Sequence, residues 1–232
     1  MENKKRIQFF DICKGVLIGF VVLGHVMPEK TSIHMWIYSW HMPAFFMISG
    51  ILMVYTQYDK RPLITRGVIR AMIASMFCIV GASVWKLILQ LRDMELRILA
   101  ILALVLVGVS ILMFVFTGMN VASLNTLNLG NPVLYILNAL VGCSMIFTIC
   151  ACLVKSNCDI CKKIFCFFGR ESLIVMGTHQ ALMILLHIPI KESVLLNLMF
   201  FAIIMVSEVP CVFLIRKMRS IKERIVVSVN GK

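Results

Sequence analysis

Charged residues are scarce in this sequence. Asp, Glu, Lys and Arg make up 15% of its 232 residues, whereas about 25% is usual in soluble domains. Hydrophobic residues make up 60%, and the mean hydropathy is +0.95. This composition excludes an ordinary soluble protein, and it predicts an integral membrane protein that forms one domain over residues 1–232.

Acidic residues are the rarer charged type. The sequence has 11 of them against 23 Lys and Arg, which gives a formal net charge of +12. The basic residues cluster at the ends of apolar segments, as the positive-inside rule requires, and aromatic residues do not alternate with them. We therefore expect the partner of this positive charge to be the lipid bilayer and not nucleic acid.

Several other patterns are missing. The apolar segments lack the strict alternation of a membrane β-barrel, and there is no glycine-rich nucleotide-binding loop. Most of the nine cysteines lie in apolar segments, where a free thiol behaves as a small hydrophobic group. Cys158, Cys161 and Cys166 form the one cluster, without a second CxxC pair, so we expect cytoplasmic thiols and no metal site, with zinc as the weaker alternative.

The apolar runs predict an all-α, polytopic transmembrane helix bundle of about six to seven spans. The predicted spans are 7–27, 36–55, 71–91, 98–116, 132–154, 172–190 and 194–215. The aromatic residues at 36–40 are expected at the membrane interface. The basic segment 155–170 is predicted as a loop between two spans.

Basic residues also predict the topology. They place both termini in the cytoplasm of a multi-pass protein of the bacterial cytoplasmic membrane. The same rule places both ends of the third predicted span on the cytoplasmic side of the membrane, which a single full crossing does not allow. Either that span is re-entrant or interfacial, or one basic loop departs from the rule.

The first span carries three ionisable residues on one face. On a regular helix Asp11, Lys14 and His25 fall within about 60° of one another, and Lys14 and His25 lie about 16 Å apart along the axis. Asp11 and Lys14 form an i,i+3 pair. Because charge is costly in hydrocarbon, this stripe is expected to face a polar interior. The alternative is that Asp11 and Lys14 reach one membrane interface and His25 the other.

Three early segments carry a family resemblance. They are FDICKG at 10–15, VVLGH at 21–25 and HMPAFFMISG at 41–50. They resemble the acyltransferase 3 family of bacterial membrane O-acyltransferases. The first helix of that family carries a basic residue that is followed, after ten intervening residues, by a His. Lys14 and His25 have the same spacing. FGRESL at 168–173, followed by His179, is similar to a late segment of that family.

The resemblance implies an activity. Members of the family transfer an acyl group, often acetyl from acetyl-CoA, to a hydroxyl of a carbohydrate or cell-envelope glycan. Acetyl-CoA or another acyl-CoA is then the donor substrate, and no permanently bound cofactor is expected. A homo-oligomer is left open.

The same resemblance implies roles for individual residues. His25 would be the general base, and Lys14 would bind a CoA phosphate or stabilise the thioester oxyanion. Asp11 would hold Lys14 in place. His41 would bind the acceptor or orient His25.

Three arginines are candidates for binding the CoA phosphates. Arg61, Arg66 and Arg70 are the nearest counterparts of the paired arginines of the family, which are not present here in the usual spacing. Arginine suits phosphate because its donors match the oxygens in pairs. The alternative is that these residues only set the topology.

Two other functions fit the sequence. The chain has fewer spans than members of the family, so it could be an inactive, shortened homologue that acts as a partner subunit. It could also be a small transporter or lipid flippase with Glu208 as the coupling acid. His179 and Ser172 share a face of the sixth predicted span and either complete the polar interior or form an ordinary interhelical hydrogen bond.

Overall fold

The computed structural model describes residues 7–29, 31–56, 68–116, 131–186 and 193–230. Within these ranges the chain is all-helical and has no strand, which confirms the predicted fold class. The helices are α1 (Gln8–Val26), α2 (Ser32–Tyr38), α3 (His41–Thr56), α4 (Val68–Gln90), α5 (Leu96–Phe116), α6 (Pro132–Lys155), α7 (Asp159–Arg170), α8 (Ser172–Leu185) and α9 (Val194–Asn230).

Four of the described helices are long and apolar enough to cross a membrane. They are α1, α5, α6 and the segment Val194–Ile221 of α9. Ala74–Gln90 and Ser172–Leu185 are apolar but shorter. A membrane bundle is therefore supported, whereas the predicted count of six to seven spans is not confirmed.

Two predicted segments differ from the observed helices. The second predicted span, 36–55, is interrupted at Ser39 and Trp40, which separate α2 from α3. The Ser39 hydroxyl donates to the Trp36 carbonyl at 2.7 Å, and this local bond competes with continuation of the helix. The predicted loop 155–170 instead contains α7, in which Lys162, Lys163 and Arg170 lower the average hydropathy.

The centre of the bundle is α1. It packs against α2, α3, α6, α7, α8 and α9. Cys13 lies beside Cys150, and Trp40 lies against both Phe20 and Gly142. From Cys13 to Phe20 along α1, the neighbouring residues of α6 go from Cys150 back to Gly142. The two helices are therefore antiparallel.

Two glycines allow α1 and α7 to touch through their backbones. A Cβ on Gly15 would overlap the Phe165 carbonyl, and a Cβ on Gly169 would overlap the Asp11 carbonyl. Only glycine permits such an approach, as in other close helix pairs of membrane proteins. This crossing brings Arg170, the last residue of α7, beside Asp11.

The helix α5 lies at the edge of the bundle. It packs mainly against α6, and most of its large apolar side chains are exposed, as expected of a lipid-facing helix. The Trp36 indole N–H donates to the Ser110 hydroxyl at 3.0 Å and so links α5 to α2.

Candidate functional site

Four histidines gather around one tyrosine near the end of α1. The ring of His25 lies 5.0 Å from that of His179 on α8, and its Nδ1 is 3.4 Å from the Tyr38 hydroxyl. The Tyr38 ring stacks on His34 at 4.0 Å and meets His41 edge-on at 4.8 Å. We call these five residues the histidine cluster.

The local sequence explains how α2 reaches the end of α1. Pro28 follows α1, and the Thr31 hydroxyl bonds back to the Pro28 carbonyl at 2.8 Å while accepting from the His34 backbone N–H at 3.3 Å. His34 and Tyr38, four residues apart, share one face of α2. Gly24 leaves room for the Tyr38 ring, since a Cβ there would lie 3.0 Å from it.

Backbone carbonyls determine the protonated nitrogen of three rings. His34, His41 and His179 each have Nδ1 2.9 Å from a carbonyl oxygen. The carbonyls belong to Gly24, Ile37 and Val175, respectively. Since a carbonyl can only accept, each Nδ1 must carry hydrogen, and each neutral ring then keeps its lone pair on Nε2.

The Nε2 of His179 has no hydrogen-bond partner among the described residues. The residue is only 2% exposed, and an unpaired buried polar atom costs about 1–3 kcal/mol. Such a cost is uncommon in a residue that serves packing alone. Its ring faces the half-buried His25, so both rings belong to one polar environment inside the bundle.

His25 can act as a base at Nε2 in only one arrangement with Tyr38. If the Tyr38 hydroxyl donates to Nδ1, the neutral ring carries its hydrogen on Nε2. If Nδ1–H donates to the tyrosine oxygen, the lone pair is on Nε2. The 3.4 Å contact permits the second arrangement, and it holds the ring through one long hydrogen bond.

The opposite end of α1 carries an ion-pair cluster. The buried Asp11 has its Oδ1 3.4 Å from Lys14 Nζ and its Oδ2 3.6 Å from Arg170 Nε. Beside it, Arg216 on α9 pairs with Glu171 at 2.6 Å. In these ion pairs of the described residues, the three cations Lys14, Arg170 and Arg216 meet two carboxylates, which leaves one positive charge in surplus and suits an anion.

The predicted site residues therefore fall into two groups. Asp11 and Lys14 lie in the ion-pair cluster, whereas His25 and His41 lie in the histidine cluster, with Tyr38 between their rings. On a regular helix, Lys14 and His25 are about 16 Å apart along α1. The two groups are thus separate places on one helix.

The predicted CoA-binding arginines lie outside the described residues wholly or in part. Arg61 and Arg66 fall between α3 and α4, and Arg70 lies in α4 with its side chain outside the described part. Their role stays a prediction.

Five residues of the two clusters were not identified from the sequence as candidate site residues: His34, Tyr38, Arg170, Glu171 and Arg216. His34 and Tyr38 have a usable signal, because their i,i+4 spacing beside an interfacial tryptophan predicts a polar face next to the first span. Arg170 has the weaker signal of following Gly169. Its pairing with Asp11 depends on the crossing of two helices that are distant in sequence.

The described residues contain no group of three or more His, Cys, Asp or Glu arranged to hold a metal ion. The histidine rings use Nδ1 for backbone carbonyls or for tyrosine. What they offer instead is a set of ring nitrogens that can take up protons. Comparisons of the chain with protein-family models, with curated proteins and with solved structures find no match.

Proposed function

We propose that the chain is a membrane-embedded O-acyltransferase of the bacterial cytoplasmic membrane. It would move an acyl group, typically acetyl, from acyl-CoA to a hydroxyl of a carbohydrate or cell-envelope glycan. The observation that carries the proposal is the half-buried His25, flanked by Tyr38 and His179 at the end of α1. The resemblance of residues 10–50 to the acyltransferase 3 family supports the choice of reaction.

The chemistry requires a base at the acceptor hydroxyl. As that oxygen attacks the thioester carbonyl, a C–O bond forms, the C–S bond breaks, and the hydroxyl proton passes to Nε2 of His25. The departing CoA thiolate then takes up a proton. The role of Tyr38 is to accept from Nδ1–H, which keeps the lone pair of His25 on the reacting side.

Distance along α1 favours one of the two roles predicted for Lys14. A residue about 16 Å from His25 cannot stabilise an oxyanion that forms beside His25. Binding of a CoA phosphate is the role that remains, and the surplus positive charge of the ion-pair cluster supports it. The extended pantetheine arm of the donor would then run along α1 from the phosphates to the thioester.

His41 has an indirect role in this scheme. It is buried, donates to the Ile37 carbonyl and packs its ring against Tyr38. It would therefore position Tyr38, and through it His25. This refines the expectation that His41 binds the acceptor or orients His25.

A transfer assay tests the proposal. Membranes containing the chain are given labelled acetyl-CoA, and label in the glycan fraction is measured for the wild type, for His25→Gln and for Gly19→Ala. Loss of a general base lowers the rate about 10²–10⁴-fold. Gly19→Ala, on the same helix with no atom within 4 Å, should keep the wild-type rate. An unchanged rate in His25→Gln at equal protein abundance would exclude His25 as the base.

A second assay identifies the acceptor. Mass spectrometry of cell-envelope glycans, with and without the gene, should show a mass difference of one acyl group. If the glycans are identical and the purified chain binds no acyl-CoA, the partner-subunit alternative is favoured.

One specific observation favours a transporter as the second candidate. Glu208 on α9 is fully buried, its Oε2 lies 2.7 Å from the Thr178 hydroxyl, and its Oε1 has no partner among the described residues. Buried carboxyls in membrane spans commonly carry protons. Uptake into vesicles that persists without acyl-CoA, and that Glu208→Gln blocks, would favour transport over acyl transfer.

A further inference from the structure

A pair of exposed thiols stands at the start of α7, outside both clusters. Cys158 is exposed and Cys161 half-exposed, and their Sγ atoms are 2.6 Å apart. The other cysteines lie in apolar helices or, like Cys166, are buried. The closeness of Cys158 and Cys161 therefore has a reason other than filling space in a hydrophobic core.

Helix geometry brings the two thiols together. Cys158 is the N-cap of α7, and its carbonyl accepts the first helical hydrogen bond, from the Lys162 N–H at 3.2 Å. Cys161 follows one turn later on the same face. A disulfide of about 2.05 Å therefore needs only a small movement of either side chain.

The two thiols are chemically unequal. A hydrogen bond between them lowers the pKa of Cys158 and raises the pKa of Cys161. The N-terminal end of a helix also favours a thiolate over a thiol. Cys158 is thus the better nucleophile of the pair, and Cys161 keeps the proton that supports it.

A structural zinc ion does not account for this arrangement. Zinc in structural sites takes four ligands, and no third His, Cys, Asp or Glu joins the two thiols among the described residues. Two thiols in contact at a helix N-terminus are the minimum needed for thiol–disulfide exchange.

We propose that Cys158 and Cys161 form a redox-active dithiol that exchanges with low-molecular-weight or protein disulfides. The Cys158 thiolate attacks one sulfur of the partner disulfide, which forms a mixed disulfide and releases one thiolate. The Cys161 sulfur then attacks Cys158 and releases the second. The chain loses two electrons and two protons, and the partner becomes two thiols. This inference is independent of the proposed acyl transfer.

Trypsin isolates the pair for a direct test. Cleavage after Lys155 and Lys162 gives peptide 156–162, which contains Cys158 and Cys161 and no other cysteine. Cleavage after Lys163 and Arg170 gives peptide 164–170, whose one cysteine, Cys166, is a matched control from the same helix.

The full chain in phospholipid nanodiscs is equilibrated with graded ratios of reduced to oxidised glutathione and quenched with acid. It is then unfolded in denaturant and blocked with iodoacetamide at alkaline pH, so that buried thiols also react. We expect peptide 156–162 to lose two hydrogen atoms and resist iodoacetamide at oxidising ratios. Peptide 164–170 should remain alkylated at every ratio. Alkylation of both Cys158 and Cys161 at all ratios, or zinc retained by the pair with no disulfide, would overturn the proposal.

A variant tests the order of attack. Cys161→Ala should trap glutathione on Cys158 as a stable mixed disulfide, because the second thiol is missing. It should also slow the alkylation of Cys158 at neutral pH, since loss of the hydrogen bond removes the cause of the lowered pKa. A wild-type chain that carries a single glutathione in place of the internal disulfide would contradict the mechanism.

Discussion

The two ends of α1 carry ionisable side chains in different electrostatic surroundings. At the first end, Asp11 lies between Lys14 and Arg170, so opposite charges compensate one another within 4 Å. At the other end, the rings of His25 and His179 face each other 5.0 Å apart, and an imidazole can be neutral or protonated near neutral pH. One end of the helix holds fixed charge, and the other holds groups that can change their charge.

Because of this difference, substitutions at the two ends of α1 should have different effects. A paired charge mainly stabilises the fold or binds an ion of opposite sign, whereas a neutral ring with a lone pair can take part in proton transfer. Substitutions near the ion-pair cluster should therefore change stability and donor binding. Substitutions of His25 and His179 in the histidine cluster should change the rate of the proposed acyl transfer.

The largest effect is expected at the helix crossing beside the ion-pair cluster. Gly15→Leu places a side chain where the Phe165 carbonyl now lies, so α1 and α7 must separate and Asp11 must move away from Arg170. The free energy of unfolding should fall by about 3 kcal/mol, at the upper end for overpacking. Thermal unfolding in detergent, together with protein abundance in the membrane, measures it.

Gly19→Leu is the matched control for this change. It makes the same substitution one turn further along α1, where an added Cβ would meet no neighbouring atom within 4 Å. Its effect on the free energy of unfolding should therefore stay within about 0.5 kcal/mol. If both variants lost the same free energy of unfolding, leucine would disturb α1 itself, and the contact with α7 would not be the cause of the loss.

The next effect is expected in the histidine cluster. His179→Phe keeps a ring of similar size and removes a buried nitrogen that lacks a partner. Phe also loses the Nδ1–H bond to the Val175 carbonyl, so the two changes offset each other and the free energy of unfolding should change by less than about 1 kcal/mol. Acyl transfer should fall about 10²-fold if His179 assists proton movement at His25. Gln180→Ala, on an exposed neighbour, is the control, and a full rate in His179→Phe would assign His179 to packing.

The sequence allowed the membrane class and the central helix to be predicted. Composition indicated the bundle, and helical spacing put Asp11, Lys14 and His25 on one face of the first span. Local spacing also predicted that Asp11 and Lys14 would be neighbours, and they form an ion pair at 3.4 Å. These features could be predicted because they depend only on the first span and on the geometry of a regular helix.

The partners of that helix could not be predicted in the same way. Periodicity shows which face of a helix is polar, but the residues that meet it come from α7 and α8, far along the chain. The meeting of Arg170 with Asp11 depends on backbone contact at Gly15 and Gly169. Hydropathy averages also missed α7, because its basic residues offset the apolar face that packs on α1.

A smaller effect is expected from Lys14. If this residue binds a CoA phosphate, Lys14→Met should raise KM for acetyl-CoA about tenfold and leave kcat nearly unchanged, because the interaction is the same in the ground and transition states. Lys86→Met, an exposed lysine on α4, controls for general loss of positive charge. A fall in kcat at constant KM would instead put Lys14 at the reacting thioester.

The smallest effect is expected at His34. His34→Phe keeps a ring that can stack on Tyr38, now at 4.0 Å, and loses the hydrogen bond to the Gly24 carbonyl. The free energy of unfolding should fall by about 1 kcal/mol, the usual net value of one hydrogen bond, and the transfer rate should change little. His34→Ala also loses the stacking and should cost roughly 1 kcal/mol more. A loss of rate in His34→Phe as large as that in His179→Phe would mean that His34 belongs with the proton-transferring rings, because the lost hydrogen bond alone cannot slow the reaction a hundredfold.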